Sequence, residues 1–130
     1  CVENTSNRGG GTCYPQEILD EIAKIAHEND CQAHMDGARM FNAAVATGIS
    51  PARIVRDYDS ISICLSKGLG APVGSVLVGS NEFIAEAHRW RKMFGGGMRQ
   101  AGILAAGGLY ALDNHIDRMV EDHARAQSLA

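Results

Sequence analysis

The chain has 130 residues, 45% of them hydrophobic and 21% charged, with a formal net charge of -3. That is enough chain for one packed core, and too apolar a composition for a disordered tail. The slight acidic balance gives no electrostatic footprint for nucleic acid, and no apolar run approaches the roughly 20 residues of a membrane span.

The opening Cys1-Val2-Glu3 reads as the tail of a strand. Because the chain starts directly in a strand-like run and stops inside a helical pattern, it is expected to be an internal piece of a longer protein. A polar loop follows over residues 4–14, where Gly9-Gly10-Gly11 forms either a surface turn or an anion-binding nest, the turn being the simpler reading. Pro15 suits the first turn of a helix, and Ile18, Leu19, Ile22, Ile25 and Ala26 recur at helical spacing up to Asn29. Residues 31–35 form a short run ending at Asp36-Gly37, and the alanine-rich stretch 38–47 predicts a helix that Gly48 stops. Ser50-Pro51 is a strong start signal for a short helix over 51–57.

Residues 60–65, SISICL, are β-branched at alternate positions and give the clearest strand, with a second strand over 75–78 after a glycine-rich turn. Asn81 is expected to cap an amphipathic helix running to about residue 94. Its basic cluster His88-Arg89-Trp90-Arg91-Lys92 alternates with apolar residues as a solvated helix face does. A long alanine-rich helix is predicted over about 99–112, with Gly102, Gly107 and Gly108 packing closely against a neighbour, and a last helical pattern covers 116–130.

Strands alternating with helices predict an open α/β sheet, in which ligands sit at the carboxyl ends of parallel strands. Asp36 and Lys67 lie at two such ends. An amine and a carboxylate on one rim are what pyridoxal phosphate (PLP) requires: the amine to hold its aldehyde, the carboxylate to keep its pyridine nitrogen protonated. Spacing alone equally allows a turn-forming aspartate and an exposed or phosphate-binding lysine. A nucleotide loop is a weak reading of residues 68–74, since the lysine precedes the glycines instead of following them. His27, His88, His115 and His123 fall on predicted helices and read as exposed. His34, two before Asp36, points to the same strand face, as support for that aspartate or as core packing. Cys1, Cys13, Cys31 and Cys64 have no paired C-x-x-C spacing, so neither a zinc site nor a disulfide framework is indicated, and a cytoplasmic location is expected.

The words around these residues are more specific than their spacing. His34-Met35-Asp36-Gly37-Ala38-Arg39, Ser62-Ile63-Cys64-Leu65-Ser66-Lys67-Gly68-Leu69-Gly70-Ala71-Pro72-Val73-Gly74 and Gly95-Gly96-Gly97-Met98-Arg99-Gln100 closely resemble the low-specificity L-threonine aldolases. The resemblance runs in order from Glu3 to about Asp122. It implies an α/β fold, part of the large PLP-binding domain of fold type I (aspartate aminotransferase-like), with a mixed, mostly parallel sheet flanked by helices. Residues 1–112 would be the carboxyl-terminal portion of that domain, and 113–130 the start of a connecting helix toward a small domain.

The resemblance further implies that Lys67 is the Schiff-base lysine and Asp36 the partner of the pyridine nitrogen. Arg39 is similar to the family arginine that meets the cofactor's phenolic oxygen or the substrate carboxylate. Lys92 and Arg99 match basic residues near the cofactor phosphate, reaching across from a neighbouring subunit. The implied activity is cleavage of L-threonine or L-allo-threonine to glycine and acetaldehyde, by a homodimer or homotetramer acting on a small amino acid. Where the family commonly has Glu-Asn-Thr-His-Asn, this chain has Glu3-Asn4-Thr5-Ser6-Asn7. The family's phosphate-binding Gly-Thr pair, its ring-stacking histidine and its carboxyl-terminal arginine match nothing here. Two rival readings stand beside this one: another fold type I lyase or aminotransferase with the same aspartate and lysine, and a truncated chain that does not catalyse on its own.

Overall fold

Four strands carry the architecture in a computed structural model that describes residues 1–130. They are β1 (Val2–Glu3), β2 (His34–Asp36), β3 (Ser60–Cys64) and β4 (Ser75–Gly79), lying in the order β1-β2-β3-β4. β1 and β3 both pair with β2 in parallel, Asp36 facing Glu3 on one side and Ser62 on the other. β4 returns antiparallel along β3, with Ser60 opposite Gly79 and Cys64 opposite Ser75. The result is a mixed, mostly parallel sheet flanked by helices, and the carboxyl ends of β1, β2 and β3 share one edge.

The helices are α1 (Gln16–Glu28), α2 (Met40–Thr47), α3 (Pro51–Ile54), α4 (Asn81–Met93), α5 (Gly102–Asn114) and α6 (Met119–Leu129). Pro15 stands just outside α1 rather than in its first turn, with an extended backbone and its carbonyl accepting from Ile18 and Leu19. α3 is shorter than predicted: Ser50 caps it, but the chain turns at Val55, where Tyr58 N–H bonds the Val55 carbonyl. Ser80, not Asn81, caps α4, its hydroxyl accepting from Phe83 N–H at 3.2 Å. α5 begins three residues later than expected, because Gln100 takes a left-handed backbone with φ 51° that a helix cannot include.

Two cores result. The larger gathers Val2, Leu19, Met35, Met40, Ile54 and Ile61 from β1, α1, β2, α2, α3 and β3. Burying a side chain such as Leu19 or Met35 is worth roughly 1.5–3 kcal/mol relative to leaving it in water, so this cluster sets the position of the parallel strands. The smaller joins Leu65 and Leu69, just after β3, to Ala111 of α5 and Met119 of α6. Gly107 and Gly108 make that approach possible: a Cβ on Gly107 would lie 3.1 Å from Pro72 Cδ, and one on Gly108 3.1 Å from Leu65 Cδ1. Gly102, expected to pack in the same way, meets nothing within 4 Å in this chain. β4, α4 and much of α5 keep apolar side chains in the open, Phe94 and Ile103 each 83% exposed. No helix is long and apolar enough to cross a membrane.

Charge pairing locks α1 to α3. Arg53 Nη1 donates to Asp20 Oδ1 at 2.8 Å, its Nη2 donates to Oδ2, and the Gln16 amide donates to Oδ1 at 2.9 Å. The Arg53 hydrogen bonds first, then that of Gln16, hold the Asp20 carboxyl well below the usual carboxylate range. A depressed carboxylate contributes stability that is fully present above its unfolded pKa, about 3.9, and lost as pH falls through the folded value. The difference in thermal midpoint between the native chain and Asp20→Asn is therefore expected to be largest near pH 6 and to shrink steadily below about pH 4. A constant difference over that span would show that the charge of Asp20 contributes nothing to it.

Candidate active site

Main-chain bonding beyond the strand ends fixes the carboxyl edge of the sheet. Asn4 N–H donates to the Asp36 carbonyl at 2.9 Å, and Gly37 N–H to the Ser62 carbonyl at 2.8 Å. Asp36 is the last residue of β2 and half-buried, and its Oδ1 accepts from Ala38 N–H at 3.1 Å. Its second oxygen has no protein donor. Arg39, one turn further on, is half-buried and donates from Nη2 to Asn7 Oδ1 at 3.2 Å, bringing the loop after β1 to the same edge.

Lys67 follows β3 on a tight turn. Gly70 N–H closes the turn onto the Lys67 carbonyl at 2.8 Å, and Ala71 N–H reaches the Leu65 carbonyl at 2.9 Å. Gly70 sits at φ 69°, a left-handed conformation that glycine adopts without Cβ strain. The Lys67 side chain is exposed and its ammonium has no hydrogen bond or ion pair. It lines a hollow of about 280 Å³ together with Gly68, Leu69, Gly70, His115, Arg118 and Asp122. Asp36 is not among those lining residues: the two groups follow neighbouring parallel strands at one edge. Lys92, near the end of α4, and Arg99, in the following loop, are exposed and bond to none of Asp36, Arg39 or Lys67.

Tertiary contacts decide the roles of the histidines and of the glycine triplet. His34 donates or accepts at Ser60 Oγ, 2.8 Å from its Nδ1, and so ties the starts of β2 and β3 rather than supporting Asp36. His115 and His123, read as exposed, are half-buried and bonded, to the Leu69 carbonyl at 2.6 Å and to Asn42 at 3.1 Å. His27 and His88 are exposed as expected. The amides of Gly9, Gly10 and Gly11 bond Ser6 Oγ, the Asn7 carbonyl and the Ser6 carbonyl, which leaves a closed turn and no free anion nest. Ser6 itself pairs with Thr12 across that turn.

A wider hollow, about 770 Å³, lies at the opposite edge among Asp20, Lys24, His27, Arg56, Asp57 and Asp59. Its charges are already paired within the chain. Asp59 Oδ2 accepts from His27 at 2.9 Å and from Ala33 N–H at 2.7 Å, and the His27 bond foremost holds the Asp59 carboxyl below its ordinary range. Burial, more than the neighbouring acids, pushes the Tyr58 phenol up to about 12. Ligands of α/β sheets sit at the carboxyl ends of strands, so the smaller hollow beside Lys67 is the better candidate despite its size. No group of three or more His, Cys, Asp or Glu side chains is placed to hold a metal ion.

The beta-eliminating lyase family matches this chain over residues 1–130. The chain belongs to the beta-eliminating lyase family. Within this family it is 53% identical over 129 residues to the low specificity L-threonine aldolase of Escherichia coli (strain K12), covering 99% of this chain and 38% of that protein. It is 47% identical over 130 residues to low-specificity L-threonine aldolase 1 of Arabidopsis thaliana, covering 100% of this chain and 36% of that one. A crystal structure described as a "putative L-allo-threonine aldolase" from Listeria monocytogenes superposes with TM-score 0.90 at 28% identity, over 99% of this chain and 36% of its own. The chain thus spans little more than a third of the length of the lyases it matches.

Proposed function

We propose that this chain carries the cofactor-holding lysine of a PLP-dependent L-threonine aldolase, which cleaves L-threonine or L-allo-threonine to glycine and acetaldehyde. The observation that carries the reading is the partner-free amine of Lys67 on the same sheet edge as Asp36. The donor set suits PLP: an exposed amine free to hold an aldehyde, a carboxylate with one unbonded oxygen, and an arginine beside it. Bound there, PLP supplies an electron sink for the pair released when a bond to the substrate's α-carbon breaks. Lys67 holds the cofactor's aldehyde, and Asp36 keeps a proton on the ring nitrogen through a charge-assisted hydrogen bond. Arg39 would offer its remaining N–H groups to the phenolic oxygen or the substrate carboxylate.

Lys92 and Arg99 are assigned to the phosphate of a neighbouring subunit's cofactor, since within this chain they do not meet Lys67. The apolar side chains left open on β4, α4 and α5 support such an assembly, a homodimer or homotetramer, because surfaces of this kind are usually covered. Residues 1–112 then belong to the large cofactor-binding domain and 113–130 begin the connection to a small one, in a protein of the cytoplasm. A second reading is favoured by one observation: because Asp36 does not line the hollow beside Lys67, the chain alone acts as a folding or interaction module without turnover.

The test is product analysis, on this chain and on any longer protein that carries it. With PLP and L-threonine, glycine and acetaldehyde are expected in equal amounts without added keto acid. A requirement for a keto-acid acceptor would make the protein an aminotransferase, and no reaction in either form would refute the aldolase assignment.

A further inference from the structure

The turn that carries Lys67 is held by groups from the far end of the chain. Leu69 plugs the smaller core, 2% exposed, against Met119 at the start of α6. Beside it, His115 Nδ1 lies 2.6 Å from the Leu69 carbonyl. A carbonyl only accepts, so Nδ1 carries the hydrogen and the imidazole is the donor. Tyr110 meets the same ring edge-on, centroids 5.5 Å apart, which sets the ring's plane. His115 also lies against Gly70, whose Cβ position is 3.6 Å from Nδ1.

A second strut reaches the turn through Gly68. The Asn42 side chain fills the space where a Cβ on Gly68 would sit. That amide is itself anchored, its Nδ2 being 3.1 Å from His123 Nε2 on α6. Two imidazoles thus bear on the residues immediately after Lys67, one directly and one through Asn42.

We propose that His115, and His123 through Asn42, are positioning residues that hold the Lys67 turn in one geometry, so that the amine is presented at a fixed place on the sheet edge. This rests on the reading of Lys67 as the cofactor-holding amine. Neither histidine touches the reacting atoms. Their effect is to restrict a glycine-flanked turn that would otherwise sample many conformations, and preorganisation of this kind is what a covalent anchor needs.

The experiment compares His115→Leu, which keeps bulk but loses the donor, with His115→Asn, whose side-chain amide sits where Nδ1 was. His123→Leu and His123→Gln form the matching pair, the glutamine amide replacing Nε2. Two readouts are taken on the whole chain: hydrogen exchange of the Gly70 and Ala71 amides without ligand, and the rate at which PLP alone, fixed by borohydride, labels Lys67. The leucine variants are expected to raise exchange at those two amides about tenfold and to slow labelling several-fold, with the amides of β2 and β3 unchanged. Asn and Gln should each restore both readouts.

Unaltered exchange at Gly70 and Ala71 would overturn the proposal. So would a rise shared equally by the sheet amides, or a failure of the amide variants to restore the native rates. Should His115→Leu not fold, His115→Phe, which keeps a ring against Tyr110 but has no donor, takes its place. If the native chain never labels at Lys67, the reading of that lysine fails, while the exchange comparison still decides whether the histidines hold the turn.

Discussion

Lys67→Ala is expected to abolish covalent attachment of PLP and to lower aldolase turnover on the order of a thousand-fold or more, the scale on which losing a group at the reacting atoms is felt. The fold should be unaffected, because the side chain is exposed and its ammonium bonds to nothing in the structure. Surface changes of this kind usually stay within about 0.5 kcal/mol. The measurement pairs a thermal midpoint with a visible spectrum after incubation with PLP. The native protein is expected to show a visible band that borohydride bleaches, and the variant to remain colourless with an unchanged midpoint. A borohydride-sensitive band of native intensity in Lys67→Ala would place the attachment elsewhere.

Asp36→Asn separates charge from shape at the neighbouring strand end. The asparagine oxygen can still accept from Ala38 N–H, as Asp36 Oδ1 does at 3.1 Å, so the turn after β2 survives. What is lost is the negative charge facing the ring nitrogen. Hydrogen bonds to charged groups are worth about 1.5–3 kcal/mol against about 1 for neutral ones. The difference, roughly 0.5–2 kcal/mol in the step that uses the electron sink, converts to a fall in kcat of about 2- to 30-fold. Lys67 labelling by PLP should persist, since the amine is untouched. Native turnover in Asp36→Asn would show that Asp36 and Lys67, which share an edge, do not serve the same ring.

Much of the site is legible in the amino-acid sequence. β-branched alternation marks β3 and the Asp-Gly pair marks the end of β2, which puts Asp36 and Lys67 at strand ends, and the ends of adjacent parallel strands share an edge by geometry. The words around them carry the resemblance to threonine aldolases. Helix limits are less secure where caps compete: Ser80 and Asn81 are both good caps, and only the backbone shows that the serine hydroxyl reaches Phe83 N–H. Asn42 offers one faint signal, a poor helix former in the first turn of an otherwise mostly apolar helix, as a residue kept for its side chain often is.

The supports of the Lys67 turn are not readable in the same way. His115 bonds a carbonyl 46 residues earlier in the chain, and His123 an amide 81 residues earlier. Helical periodicity reports which face of a helix is apolar, not which distant polar group that face will meet, so by pattern both histidines look like solvated residues.

Sequence by itself determined the strands, most of the helices, the family and the two strand-end residues, because each of these depends on local patterns and specific words. The direction of β4, the closeness of Lys67 to α5 and α6, and the failure of Asp36 to line the same hollow were decided only by tertiary packing. They depend on how Leu65, Leu69, Ala111 and Met119 exclude water together, and burial is a property of the assembled chain that no single stretch of it contains.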